Sequence, residues 1–162
     1  METQKTQKSH RSIFKNISEM KNAVGKELGL TPWKIMDQER INTFAKATED
    51  EQWIHIDEER CTKESPYKQT IAHGFLMLSM CSKIMYDSYE VGQVSMAINY
   101  GLDKVRFLSP VPVNSEVRIK MECLDITEKN PGQFLSKTKV TMEIKGVEKP
   151  AYIAETLTMF IV

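Results

Sequence analysis

An aspartate and a histidine five positions apart, Asp50 and His55, form the pair in this sequence best suited to proton chemistry. A carboxylate beside an imidazole can orient a water and move a proton near neutral pH. The spacing alone leaves a plainer reading open. Asp50 also belongs to an acidic run, Glu49 to Glu51, and His55 could be the polar member of an alternating strand. Further along, His73 and Gly74 open an apolar stretch, TIAHGFLMLSMCSKIMY, from Thr70 to Tyr86. If a helix starts there, its free N–H groups and dipole can stabilise charge on a carbonyl or thioester oxygen, with the Gly74 N–H as donor. Glycine equally suits close backbone packing. His73 reads as a core histidine, a loop donor or a ligand, and Ser82 as a small polar residue bonded back to its helix. Arg106, Lys104 and Lys120 offer positive charge for phosphate, Arg106 first because of its planar fork, or simply face solvent. Asp50, His55, Asp57 and His73 match no known ligand spacing, so no metal is expected.

The elements that must position these residues follow from hydrophobic period. Over Thr70 to Tyr86 the helix wheel has no polar face, which predicts a helix buried on all sides. It is too short for a bilayer, and Ser79, Ser82 and Lys83 interrupt it. Residues 1–11 are polar and predict a flexible segment, with one domain over 12–162. Ile13, Ile17, Met20 and Val24 recur at helical spacing between a Ser12 cap and a Gly25 stop. Gly29 and Pro32 break Lys26 to Met36, predicting an edge strand at most. Asp37 caps a helix with Ile41, Phe44, Ala45 and Thr48 on one face, and Asp57 caps a shorter one.

After Tyr89 the period becomes two. Val94, Met96, Ile98 and Tyr100 alternate, as do Val117, Ile119 and Met121, then Val140, Met142 and Ile144. A phase slip at Cys123 and Leu124 predicts a β-bulge, Asn130-Pro131-Gly132 a turn, and Ala151 to Val162 a central strand. The class is α+β, helices first and then about four antiparallel strands. A curved antiparallel sheet wrapped around the long central helix, the hot-dog architecture, would bury that helix.

Lysine and arginine total 22 against 22 acidic residues, so no overall basic field suggests nucleic acid or an anionic membrane. Cys61, Cys81 and Cys123 are odd in number and scattered, unlike a disulfide frame or zinc site. The start METQKTQKSHRS has no apolar core, so no secretory signal is read and a cytoplasmic location is expected.

FAKATEDEQWIHID followed by SPYKQTIAHGFLMLS resembles the signature of the MaoC-like dehydratases and (R)-specific enoyl-CoA hydratases, in particular the nodulation protein N-like subgroup. INYGLDKVRFLSPVPV is also similar to that subgroup, so the resemblance spans Leu28 to the C-terminus. It implies a hot-dog homodimer, or a dimer of dimers, acting in fatty-acid metabolism on coenzyme A thioesters with no further cofactor. By resemblance, Asp50 and His55 match the catalytic pair, Gly74 the glycine whose amide polarises the thioester carbonyl, and Ser82 the helix serine that shapes the segment. Gln52 and Trp53 stand where Asn-Pro is frequent, Glu49 where glycine is common, and Asn114 at a turn where glycine is frequent. The implied reaction is syn hydration of a trans-2-enoyl-CoA to a (3R)-3-hydroxyacyl-CoA, or the reverse. An acyl-CoA thioesterase on the same fold and a non-catalytic acyl-thioester-binding subunit are the alternatives.

Overall fold

The computed structural model describes residues 7–162. Four long strands carry the sheet. They are β5 (Met96–Phe107), β6 (Glu116–Asn130), β7 (Gln133–Ile144) and β8 (Tyr152–Ile161). The last three bury every second residue over much of their length, while β5 has no buried residue. Val117, Ile119, Met121 and Cys123 of β6 turn inward, as do Val140, Met142 and Ile144 of β7 and Tyr152 and Ala154 of β8. This alternation fixes register, because a one-residue slip would expose the whole set. The β6–β7 register shifts between Cys123 and Asp125, where the sequence phase slips, and Gly132 turns the hairpin at φ 74°.

Four shorter strands complete the sheet: β1 (His10–Phe14), β2 (Glu27–Leu30), β3 (Lys34–Ile35) and β4 (Tyr89–Val91). The order is β4-β1-β2-β6-β7-β8-β5, with β3 also on β6; only the β1–β4 pair is parallel. Against this sheet lies the long helix α5 (Gly74–Ser88), packed on β1, β2, β4 and β6. The architecture is the hot-dog fold, an antiparallel-rich sheet around a central helix. Helices α1 (Ile17–Lys21), α2 (Gln38–Thr48), α3 (Trp53–Ile56) and α4 (Glu58–Glu64) fill the connections. Asp37 caps α2 by accepting from the Arg40 N–H at 2.8 Å, and Asp57 caps α4 by accepting from the Arg60 N–H at 2.9 Å.

Several elements depart from the sequence expectations. Of the segment 1–11 expected to be flexible, residues 1–6 lie outside the described residues, while His10 and Arg11 open β1. The helix expected from Ser12 begins only at Ile17, capped by Asn16; Ser12 and Ile13 pair with Tyr89 and Glu90. Strand pairing there satisfies the backbone, and Ile13 is 70% exposed, so its helical spacing marked no buried face. The segment read as an edge strand at most contains β2, which pairs on both sides. Gly29 permits this, since a Cβ there would lie 2.1 Å from the Ser88 carbonyl oxygen at the end of α5. Strands therefore precede helices as well as follow them.

The central helix is not buried all round. Leu76, Met77, Cys81 and Ile84 face the sheet, whereas Phe75, Ser79, Ser82 and Tyr86 form an exposed stripe at four-, three- and four-residue steps. The apolar wheel thus has one face packed within this chain and one that the chain leaves open. Met96, Ile98, Tyr100 and Leu102 on the terminal strand β5 are exposed as well.

Candidate active site

Helix α2 ends on Glu49, whose left-handed φ of 61° turns the chain outward. Asp50 follows in an exposed loop, its side chain 55% accessible. The next residues form α3 rather than the alternating strand expected at His55, and this single turn points the imidazole inward, leaving it 7% exposed. His55 Nδ1 donates to the Ile71 carbonyl at 2.6 Å, since a carbonyl oxygen only accepts. In the neutral ring the lone pair then sits on Nε2. Burial lowers the His55 pKa below its ordinary 6.5; the Ile71 bond opposes this, neighbouring His73 adds to the lowering and Asp50 works against it. The ring is thus a neutral base at pH 7. Its backbone is held too, because Gln38 Nε2 donates to the His55 carbonyl at 2.7 Å.

His73 joins the parts. It is 2% exposed at the N-cap of α5, its Nε2 donates to the Asp50 backbone carbonyl at 2.9 Å, and its ring stacks on His55 with centroids 3.7 Å apart and planes at 27°. Phe44 closes the other side at 5.1 Å. Polar atoms of Asp50, His55 and His73 all lie within 4.8 Å of one another. Among the described residues this is the one group that could hold a metal ion; each histidine commits one nitrogen to a carbonyl and leaves the other without a hydrogen-bond partner.

Gly74 begins α5 immediately after His73. The His73 side chain makes no capping bond to the first turn, whose N–H groups have no acceptor within the helix. The Phe107 ring packs against the glycine; a Cβ there would come within 3.2 Å of it. His55, Gly74, Met77, Tyr67 and Phe107 line one pocket of about 300 Å³. An imidazole base and an open helix N-terminus on one cavity, with the Asp50 carboxylate near the imidazole, can deprotonate a water and stabilise an oxyanion.

Other candidates lie apart. Ser82 is exposed on α5, roughly 12 Å along the axis from Gly74 at 1.5 Å per residue. It lines a separate groove of about 290 Å³ with Cys81, Met85, Asn99, Thr156 and Thr158. Trp53 carries the Arg60 guanidinium over its ring at 4.3 Å, and the Gln52 carbonyl accepts from the His55 N–H at 2.9 Å. Arg106 is exposed and donates to the Val105 carbonyl at 2.8 Å; Lys104 pairs with Glu155 at 2.8 Å and Lys120 with Glu27 at 3.0 Å. Sequence reasoning missed Gln38, the Ile71 carbonyl and the contact of Phe107 with Gly74. Only Phe44 left a signal, as one of the apolar positions of α2.

Residues 19–145 match the family model described as the MaoC like domain. A 3-hydroxyacyl-thioester dehydratase Z of Mycobacterium tuberculosis is 38% identical over 148 residues, covering 91% of this chain and 97% of that protein. A nodulation protein N of Rhizobium leguminosarum is 37% identical over 145 residues, covering 89% and 90%. Among solved structures, the (R)-hydratase from A. caviae superposes with a TM-score of 0.67 at 21% identity, covering 83% of this chain and 94% of that one, a likeness of fold. With a family model spanning most of its length and relatives of matching extent, the chain belongs to the MaoC-like dehydratases.

Proposed function

We propose that this protein adds water to a trans-2-enoyl thioester of coenzyme A to give the (3R)-3-hydroxyacyl thioester, or runs the reverse dehydration. The carrying observation is that His55 and Gly74 line one pocket, with Asp50 beside the histidine. Asp50 and His55 hold a water, and His55 Nε2 takes its proton as the oxygen bonds to C3. The C2–C3 π electrons move toward the thioester oxygen, which the Gly74 N–H stabilises, and the proton is then delivered to C2. The thioester activates C3 by itself, so the scheme asks for no metal or redox cofactor. Names borne by the relatives, a 3-hydroxyacyl-thioester dehydratase and an (R)-hydratase, support the same chemistry and stereochemistry. Arg106, exposed near the end of β5, is assigned to coenzyme A phosphates and Ser82 to shaping the helix surface.

A second copy of the chain covers β5 and the open stripe of α5, as a homodimer or a dimer of dimers. Among the described residues no helix is long and apolar enough to cross a membrane, and a cytoplasmic location is inferred with residues 12–162 as one domain. The test follows loss of the enoyl-thioester absorbance of short trans-2-enoyl-CoAs. Wild-type protein consumes them to the (3R) product, while Asp50→Asn and His55→Ala abolish turnover. Retained activity in both variants sinks the assignment, and release of free thiol in place of hydration converts it to thioesterase chemistry.

A further inference from the structure

His73 has no part in the proton transfers just described, yet it touches every component of the site. Its Nε2–H bond of 2.9 Å ends on the backbone carbonyl of Asp50, in a loop the chain otherwise leaves exposed. Its ring lies 3.7 Å from the His55 ring, and its own carbonyl accepts from the Met77 N–H at 3.2 Å in the first turn of α5. The next peptide is that of Gly74. We infer that His73 is the positioning residue that sets the Asp50–His55 pair in register with the Gly74 N–H, through the bond to the Asp50 carbonyl and the stack on His55.

Two features separate this role from plain packing. His73 Nδ1 is buried with no hydrogen-bond partner, a condition that costs stability. An aliphatic side chain would fill the same volume without that cost, so what the imidazole adds is the directed Nε2–H. The second is geometric. Asp50 follows a left-handed Glu49 and precedes a one-turn helix, so neither neighbour fixes the loop, and the His73 bond is the contact that ties its backbone to α5. Misplacement of a reacting group by about 1 Å can cost on the order of 100-fold in rate.

The inference rests on the proposed hydration chemistry for its kinetic readout but not for its structural one. His73→Phe keeps a stacking ring and removes the donor; His73→Leu removes both; His73→Gln returns an N–H near the position of Nε2. Each folded variant is compared by kcat and KM on a short trans-2-enoyl-CoA and by backbone 15N order parameters at Asp50 and Glu51. The expected result for His73→Phe and His73→Leu is a kcat about 100-fold down, KM little changed, and order parameters falling from about 0.85 to below about 0.6. His73→Gln recovers most of both. Wild-type kcat in a folded donor-less variant overturns the inference, as does a kcat loss with the loop as rigid as before. If wild-type protein turns over no enoyl-CoA, the proposed function fails, and the order parameters still decide whether His73 holds the loop.

Discussion

In the proposed reaction His55 works through one nitrogen, because the other is fixed on a backbone carbonyl. The Ile71 bond sets the tautomer and burial keeps the ring neutral. The proposed reaction requires the unprotonated Nε2, and burial holds the folded pKa below 6.5, so kcat/KM is expected to hold as pH falls through 6.5 and to drop only on the more acidic side. The linked stability has the same sign. Above 6.5 both folded and unfolded rings are neutral; below it the unfolded chain takes the proton first, so stability declines until the folded ring also protonates. A pH–rate profile whose acidic limb sits above 6.5 would contradict this. Glu49 offers a second test at this scale. Its φ of 61° is costly for a residue with a Cβ, so Glu49→Gly raises stability by about 1 kcal/mol in denaturant unfolding. Residue type and spacing singled out Asp50, His55 and Gly74 as candidates and the family resemblance gave them roles; the structure brings Asp50 and His55 together and sets Gly74 on the His55 pocket. The sequence could not reveal Gln38 or the Ile71 carbonyl, because a backbone acceptor leaves no residue-type signal and Gln38 lies a whole helix away from the histidine it holds.

At the level of elements, period and caps were sufficient where one face meets one environment. β6, β7 and α2 read correctly because their alternation or stripe faces the core, and Asp37 and Asp57 marked their helices through side chains that bond to the first turn. Two short segments failed for physical reasons. Ile13 to Val24 carries helical spacing, but strand pairing with β4 satisfies its first residues before any helix can form. At His55 the alternation W-I-H-I fits a strand and a single helical turn equally well. Gly29 looked like a breaker and instead allows a close backbone approach of β2 to the end of α5. Gly29→Ala therefore forces a Cβ into the Ser88 carbonyl and costs more than about 2 kcal/mol, read as a lowered denaturant midpoint. An unchanged midpoint would mean that β2 and α5 part freely.

The whole molecule exposes what its central helix and its terminal strand have in common. Phe75 and Tyr86 on α5 are 69% and 56% exposed, and Met96, Ile98, Tyr100 and Leu102 stand open on a twelve-residue strand with a free edge. A long apolar edge is normally blunted by charge, proline or a bulge, because it invites pairing with another chain. Here β5 carries register shifts against β8 and exposes Asp103, Lys104 and Arg106 in its second half, but its first half exposes Met96, Ile98, Tyr100 and Leu102 without a charge among them. The wheel of α5 predicts a helix buried on all sides, whereas its Phe75–Tyr86 stripe is exposed in this chain; the proposed second copy would cover it. In the proposed dimer a second copy, laid on β5 and on the stripe of α5, would close the groove at Ser82 and remove the edge. Sedimentation at micromolar concentration accordingly gives a dimer or larger species for wild-type protein. Ile98→Lys combined with Tyr100→Lys shifts it toward monomer, because each ammonium would otherwise be buried without a partner in the interface. If the double variant remains a dimer, the chains meet elsewhere, and the open face of α5 needs another occupant.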